Sequence, residues 1–159
     1  MKEIKFEKSE FDNNSDADFL LREKGEYVSL TAGASMRPIF REHRDVVVIR
    51  TIKNPLKKGD AVLYPETDGK YILHRIMRFK GDICIIRGDN NFFTERVKKE
   101  NIIGVLTEFY RDGKYVKCDE NFKYKCYVFY ICHSYWVRYI WRKWLLPTVV
   151  KIKRAVFNS

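Results

Sequence analysis

From Glu26 to Lys117 the chain runs as short apolar stretches cut by tight-turn residues, a pattern that favours antiparallel strands. Tyr27-Val28-Ser29-Leu30-Thr31 reads as a first strand. Val46-Val47-Val48-Ile49 is a continuous β-branched run, too short for a helix and suited to a buried strand. Asn54-Pro55 and Lys58-Gly59-Asp60 mark a loop, after which Ala61-Val62-Leu63-Tyr64 is the next strand. Thr67-Asp68-Gly69-Lys70 and Lys80-Gly81-Asp82 are turns on either side of a strand from Tyr71 to Phe79. Ile83-Cys84-Ile85-Ile86 follows, then a polar loop over 88–101. Ile102-Ile103-Gly104-Val105-Leu106 and Lys114-Tyr115-Val116-Lys117 are two more strands around Asp112-Gly113. Six or seven such strands predict a mainly β (α+β) domain over residues 26–119. Ahead of it, in 1–25, Ser15 or Asp16 is placed to cap a short helix. Phe19, Leu20 and Leu21 would form its apolar stripe, and Gly25 would end it.

Composition narrows the class. With 159 residues and 45% hydrophobic content the chain is long enough for one real core and is not a disordered segment. A formal net charge of +10 favours an anionic partner. Cys84, Cys118, Cys126 and Cys132 contain no CxxC pair and no second His/Cys cluster, so neither a structural zinc nor any other metal or cofactor is expected. The charged start, Met1-Lys2-Glu3-Ile4-Lys5-Phe6-Glu7, lacks an apolar export segment. A reducing, cytoplasmic setting follows as the expectation, without a disulfide framework.

The last segment, 120–159, differs in kind. Between Asn121 and Ser159 lie eight Lys or Arg residues and no acid, with all three tryptophans. One helix is predicted from about Lys123 to Leu146, stopped before Pro147, with a shorter one after it. Its longest uncharged run, Cys126 to Val137, is too short to span a bilayer. Three uses fit: a helical cap on the sheet, a site for a partner protein or leader peptide, or peripheral docking on the inner leaflet of an anionic membrane. For the last, Trp136, Arg138, Trp141, Arg142, Lys143 and Trp144 are the expected contacts. Basic and aromatic residues also suit single-stranded nucleic acid, but no nucleic-acid motif accompanies them and none is expected to bind.

The chemistry centres on Gly33-Ala34-Ser35-Met36-Arg37-Pro38, just after the first strand. Gly33 and Ala34 leave little bulk beside the hydroxyl, so another backbone could approach it. Pro38 fixes its own φ and biases Arg37 toward extended backbone. Met36, with Ile39 and Phe40, either lines a groove or packs beneath the serine. A serine needs a base within hydrogen-bond reach, and a histidine serves near neutral pH. Strand alternation puts Ile72, His74 and Ile76 on one face, opposite Tyr71, Leu73 and Arg75, which shelters the imidazole on an apolar surface. The alternative role for His74 is a hydrogen-bonded core residue.

Taken in order, the serine box, Gly59-Asp60, Leu73-His74-Arg75-Ile76 and Arg87-Gly88-Asp89-Asn90-Asn91 resemble the signal peptidase I family, whose catalytic domain is shared with LexA-type self-cleaving repressors. The resemblance covers roughly Thr31 to Leu106. A histidine at the base position makes the chain most similar to the Ser–His branch typical of archaeal and endoplasmic-reticulum signal peptidases. It implies a LexA-like β fold and a serine endopeptidase that cuts extended signal or leader peptides after small residues. Ser35 would be the nucleophile and His74 the base, while Gly33, Ala34, Met36 and Pro38 would flank the substrate. Either Asp89, inside the matching Gly-Asp-Asn box, or Glu95, where the branch has a second aspartate, would orient His74. The Ser35 main-chain N–H would serve the oxyanion hole. Gly33 replaces the hydroxyl that Ser–Lys relatives add there, and His43-Arg44-Asp45 sits one residue late for the usual Gly-Asp. Asp45 reads as a strand-entry residue, His43 as a surface residue, and Lys70 as too exposed to be the base. Two other functions stay open on the same fold: a non-catalytic module binding peptide or membrane, and a self-cleaving regulator.

Overall fold

The computed structural model describes residues 17–67, 69–140 and 143. An eight-stranded antiparallel sheet holds β1 (Glu26–Leu30), β2 (Val46–Arg50), β3 (Ala61–Pro65), β4 (Tyr71–Lys80), β5 (Ile83–Arg87), β6 (Glu95–Lys98), β7 (Gly104–Arg111) and β8 (Lys114–Lys117). Their order is β1-β2-β7-β3-β4-β5-β6, with β8 on the later half of β7. Tight turns make β3 to β6 a meander of sequential neighbours. Gly81, at φ +60, turns β4 into β5, where a side chain would be strained. Asp68, in the expected β3–β4 turn, lies outside the described residues. β1 and β2 pair as far as Leu30 and Val46, so the loop between them projects from one end of the sheet with Ser35 on it.

Alternation along each strand gives the sheet two apolar faces. Val47, Ile49, Ala61, Leu63, Leu106 and Phe109 pack on one side with Met36 and Phe40. Helix α1 (Ala17–Lys24) adds Ala17 and Leu21 to that side, and α2 (Phe122–His133) adds Tyr124. Val62, Tyr64, Ile76, Cys84, Ile86, Val97 and Ile102 form the other side. The mainly β, α+β expectation holds.

Local outcomes differ where the apolar pattern was thin. The expected polar loop over 88–101 contains β6, an edge strand whose one buried residue is Val97. α1 ends as expected at Gly25, whose N–H donates to the Leu21 carbonyl at 3.1 Å, but Phe19 is 61% exposed because Ala17 and Leu21 alone reach the core. Its expected caps, Ser15 and Asp16, lie outside the described residues. The single tail helix is interrupted at Ser134, a residue suited to helix ends. α3 (Tyr135–Ile140) begins there, with the Arg138 N–H donating to the Ser134 carbonyl at 3.0 Å. Among the described residues no helix is long and apolar enough to cross a membrane.

Candidate active site

Register puts three polar side chains on one apolar face. His74 on β4 pairs with Val62 on β3, so Tyr64, two residues on, shares its face. Ile86 on β5 pairs with both Ile76 and Glu95, which brings Glu95 on β6 to that same face. His74 is 4% exposed. Its Nδ1 is 3.1 Å from Glu95 Oε1, and the Tyr64 hydroxyl donates to Glu95 Oε2 at 2.6 Å while lying 3.2 Å from Nδ1. A carboxylate beside Nδ1 favours the tautomer with its proton there, leaving the Nε2 lone pair on the other side of the ring.

That other side faces the serine loop. A Cβ built on Gly88 would stand 2.9 Å from His74 Nε2, 2.8 Å from the Ser35 carbonyl oxygen and 2.9 Å from Asn91 Nδ2. Gly88 is therefore required by close approach rather than by φ. The Asn90 N–H donates to the Ser35 carbonyl at 2.7 Å, and its side-chain amide to the Ala34 carbonyl at 3.2 Å. From the other end, Thr31 Oγ1 donates to the Arg41 and Asp45 carbonyls at 2.7 and 3.0 Å. The fully buried Asp45 carboxylate accepts the Arg41 N–H at 2.8 Å. The loop is thus closed on itself and tied to the Gly88 turn. No hydrogen bond joins Ser35 Oγ to the imidazole; such bonds commonly tighten only once substrate is bound.

Ser35, His74, Asn91 and Glu95 line one cavity of about 400 Å3, bounded by Tyr27 and Leu30 of β1 and by Phe93. Gly33 and Met36 also line it, Met36 while buried in the core. Ala34 and Pro38 are exposed outside the lining, so they flank the serine without forming the cavity wall. His43 is exposed, as expected, at φ +53.

The two acids separate cleanly. Asp89 faces away from His74 and takes Arg75 in a two-pronged pair, with Nε to Oδ1 at 2.8 Å and a terminal nitrogen to Oδ2 at 2.7 Å, both side chains fully buried. Glu95 is the acid on the imidazole. Tyr64 was missed from sequence because nothing in Ala61-Val62-Leu63-Tyr64 distinguishes a site tyrosine from a core one.

Burial lowers the His74 pKa from its usual 6.5, and the Glu95 carboxylate opposes part of that shift. With its pKa lowered, the ring is neutral at pH 7. The unfolded chain takes up the proton more readily, so this contribution to stability is full above the unfolded value of 6.5 and is lost as pH falls from there through the lower folded value. Burial, then the hydrogen bond to Glu95, pushes the Tyr64 hydroxyl up, so it stays a donor. Tyr64→Phe removes the group that shares the Glu95 charge. The imidazole should titrate higher in this variant, followed by NMR, because an unshared carboxylate holds the imidazolium more strongly. An unmoved titration would show that Tyr64 serves the core alone.

Of the expected membrane contacts, Trp141, Arg142, Trp144 and the Trp136 side chain lie outside the described residues. Lys143 is exposed. Arg138 turns inward instead, donating to the Asp89 carbonyl. No protein-family model matches this chain, and no curated protein matches it.

Proposed function

We propose that this chain is a serine endopeptidase similar to signal peptidase I, acting on extended peptides. The observation that carries the reading is the run Tyr64–Glu95–His74 on one face, with the free ring nitrogen turned toward the Ser35 loop across Gly88. Ser35 Oγ attacks the peptide carbonyl while His74 Nε2 takes the hydroxyl proton, then delivers it to the departing amine. Water, deprotonated by the same nitrogen, releases the acyl group. Glu95 orients the ring and stabilises its charged form. The Ser35 main-chain N–H and the Asn91 side-chain amide are the donors proposed for the oxyanion. The setting that matches this reading is the cytoplasm, with peripheral membrane contact supported by the acid-free basic tail.

The test is cleavage of a mixed peptide library, followed by mass spectrometry, with the native chain, Ser35→Ala and His74→Ala. The native chain should give discrete cuts, and each variant should lose about a thousandfold or more. Equal cleavage by all three, or none by the native chain, would leave a binding module on the same fold.

A further inference from the structure

Helix α2 buries Tyr124 and Ile131 and turns its opposite side outward. There Phe122 is 77%, Phe129 67% and Tyr130 52% exposed, with exposed Cys126 between them. Steps of three and four residues put all four on one helix face. At 3.6 residues per turn, Lys123 falls on one flank of that face and Lys125 on the other, both exposed. α3 carries the theme on, with Val137 69% and Ile140 50% exposed. Scattered apolar residues on a surface are ordinary; an aromatic row edged by lysines is not.

Charge decides the occupant. From Asn121 to Ser159 there are eight cations and no acid, so the segment is complementary to a uniformly anionic surface. We propose that the outward face of α2 and α3 docks flat on an anionic lipid bilayer. The rings sit at the boundary between headgroups and acyl chains, and Lys123 and Lys125 extend to lipid phosphates. Of the contacts expected from sequence, Arg138 is turned to the protein, and among the described residues of this face Phe122, Phe129 and Tyr130 take the central place. α3 also touches the loop that borders the candidate site. The Tyr135 hydroxyl donates to the Phe92 carbonyl at 3.2 Å, the Phe92 and Tyr139 rings are 5.8 Å apart, and Phe93 lines the cavity with Ser35. The inference deepens the membrane contact proposed above and does not depend on the peptidase chemistry, since it concerns binding alone.

The test is flotation of the full chain with phosphatidylcholine vesicles, with and without phosphatidylglycerol. Binding should require phosphatidylglycerol, weaken as salt is raised, and fall about tenfold or more in Phe129→Asp and in Phe122→Asp. Phe19→Asp, an equally open aromatic on α1, should bind like the native chain. Circular dichroism checks that each variant is folded. Failure of the native chain to float, or undiminished binding by both α2 variants, would overturn the proposal. So would a concentration-dependent dimer that Phe129→Asp abolishes in a chain that ignores vesicles, because the face would then belong to a second copy.

Discussion

Asp89→Asn should lower the stability of the fold by about 3–5 kcal/mol, the usual cost of leaving one member of a buried ion pair without its partner. The substitution keeps the shape of the side chain and removes its charge. Arg75 then keeps neutral partners, the amide oxygen at position 89, the Gly59 carbonyl at 2.7 Å, the Tyr124 hydroxyl at 3.2 Å and the Tyr124 and Tyr127 rings, but the fully buried guanidinium loses its counter-charge. The Tyr127 hydroxyl, which donates to Asp89 Oδ2 at 3.0 Å, also loses its charged acceptor. Domains of this size are held by roughly 5–15 kcal/mol, so the loss is a large share. Glu95→Gln should behave in the opposite way. Its carboxylate is 30% exposed, so stability should change by less than about 1 kcal/mol. Peptide hydrolysis should fall on the order of a thousandfold or more, because an amide at that place no longer selects the useful tautomer. Urea midpoints and kcat/KM for the two variants measure both effects. A stable, inactive Asp89→Asn beside an active Glu95→Gln would reverse the two roles.

Which acid serves the histidine was beyond the sequence for a physical reason. The choice depends on the β5–β6 register and on what Arg75 does on the far side of the sheet, and both are long-range facts. Glu95-Arg96-Val97-Lys98 carries one apolar residue, too little to announce the strand that delivers the carboxylate. The extra methylene of a glutamate is accommodated because Tyr64 holds one oxygen while the other meets the ring. What was legible came from local rules. Period-two alternation put His74 with Ile72 and Ile76, and glycine turns marked the hairpins. The tail misled because an unbroken helical pattern does not reveal that the backbone leaves helical geometry at Ser134 (φ −92, ψ 17), beyond which Tyr135 and Tyr139 pack on Phe92.

Gly88→Ala is the substitution that tests the proposed meeting of serine and histidine most directly. The new methyl carbon would sit 2.8 Å from a main-chain oxygen of Ser35 and 2.9 Å from His74 Nε2, closer than real Cβ contacts come. Neither neighbour yields easily: one is backbone held by Asn90, and the other is a ring held by Glu95 and Tyr64. The serine loop and the imidazole must therefore move apart. A displacement of about 1 Å in reacting groups costs roughly a hundredfold in rate, whereas overpacking by one methyl costs about 1–3 kcal/mol in stability. Hydrolysis should accordingly collapse in a protein that still folds. Gly81→Ala supplies the contrast: its methyl meets nothing within 4 Å, and its φ of +60 carries only local strain, so it should lose about 1 kcal/mol and keep its activity. Full activity in Gly88→Ala would mean that Ser35 and His74 do not work across that glycine, and the peptidase mechanism would go with it.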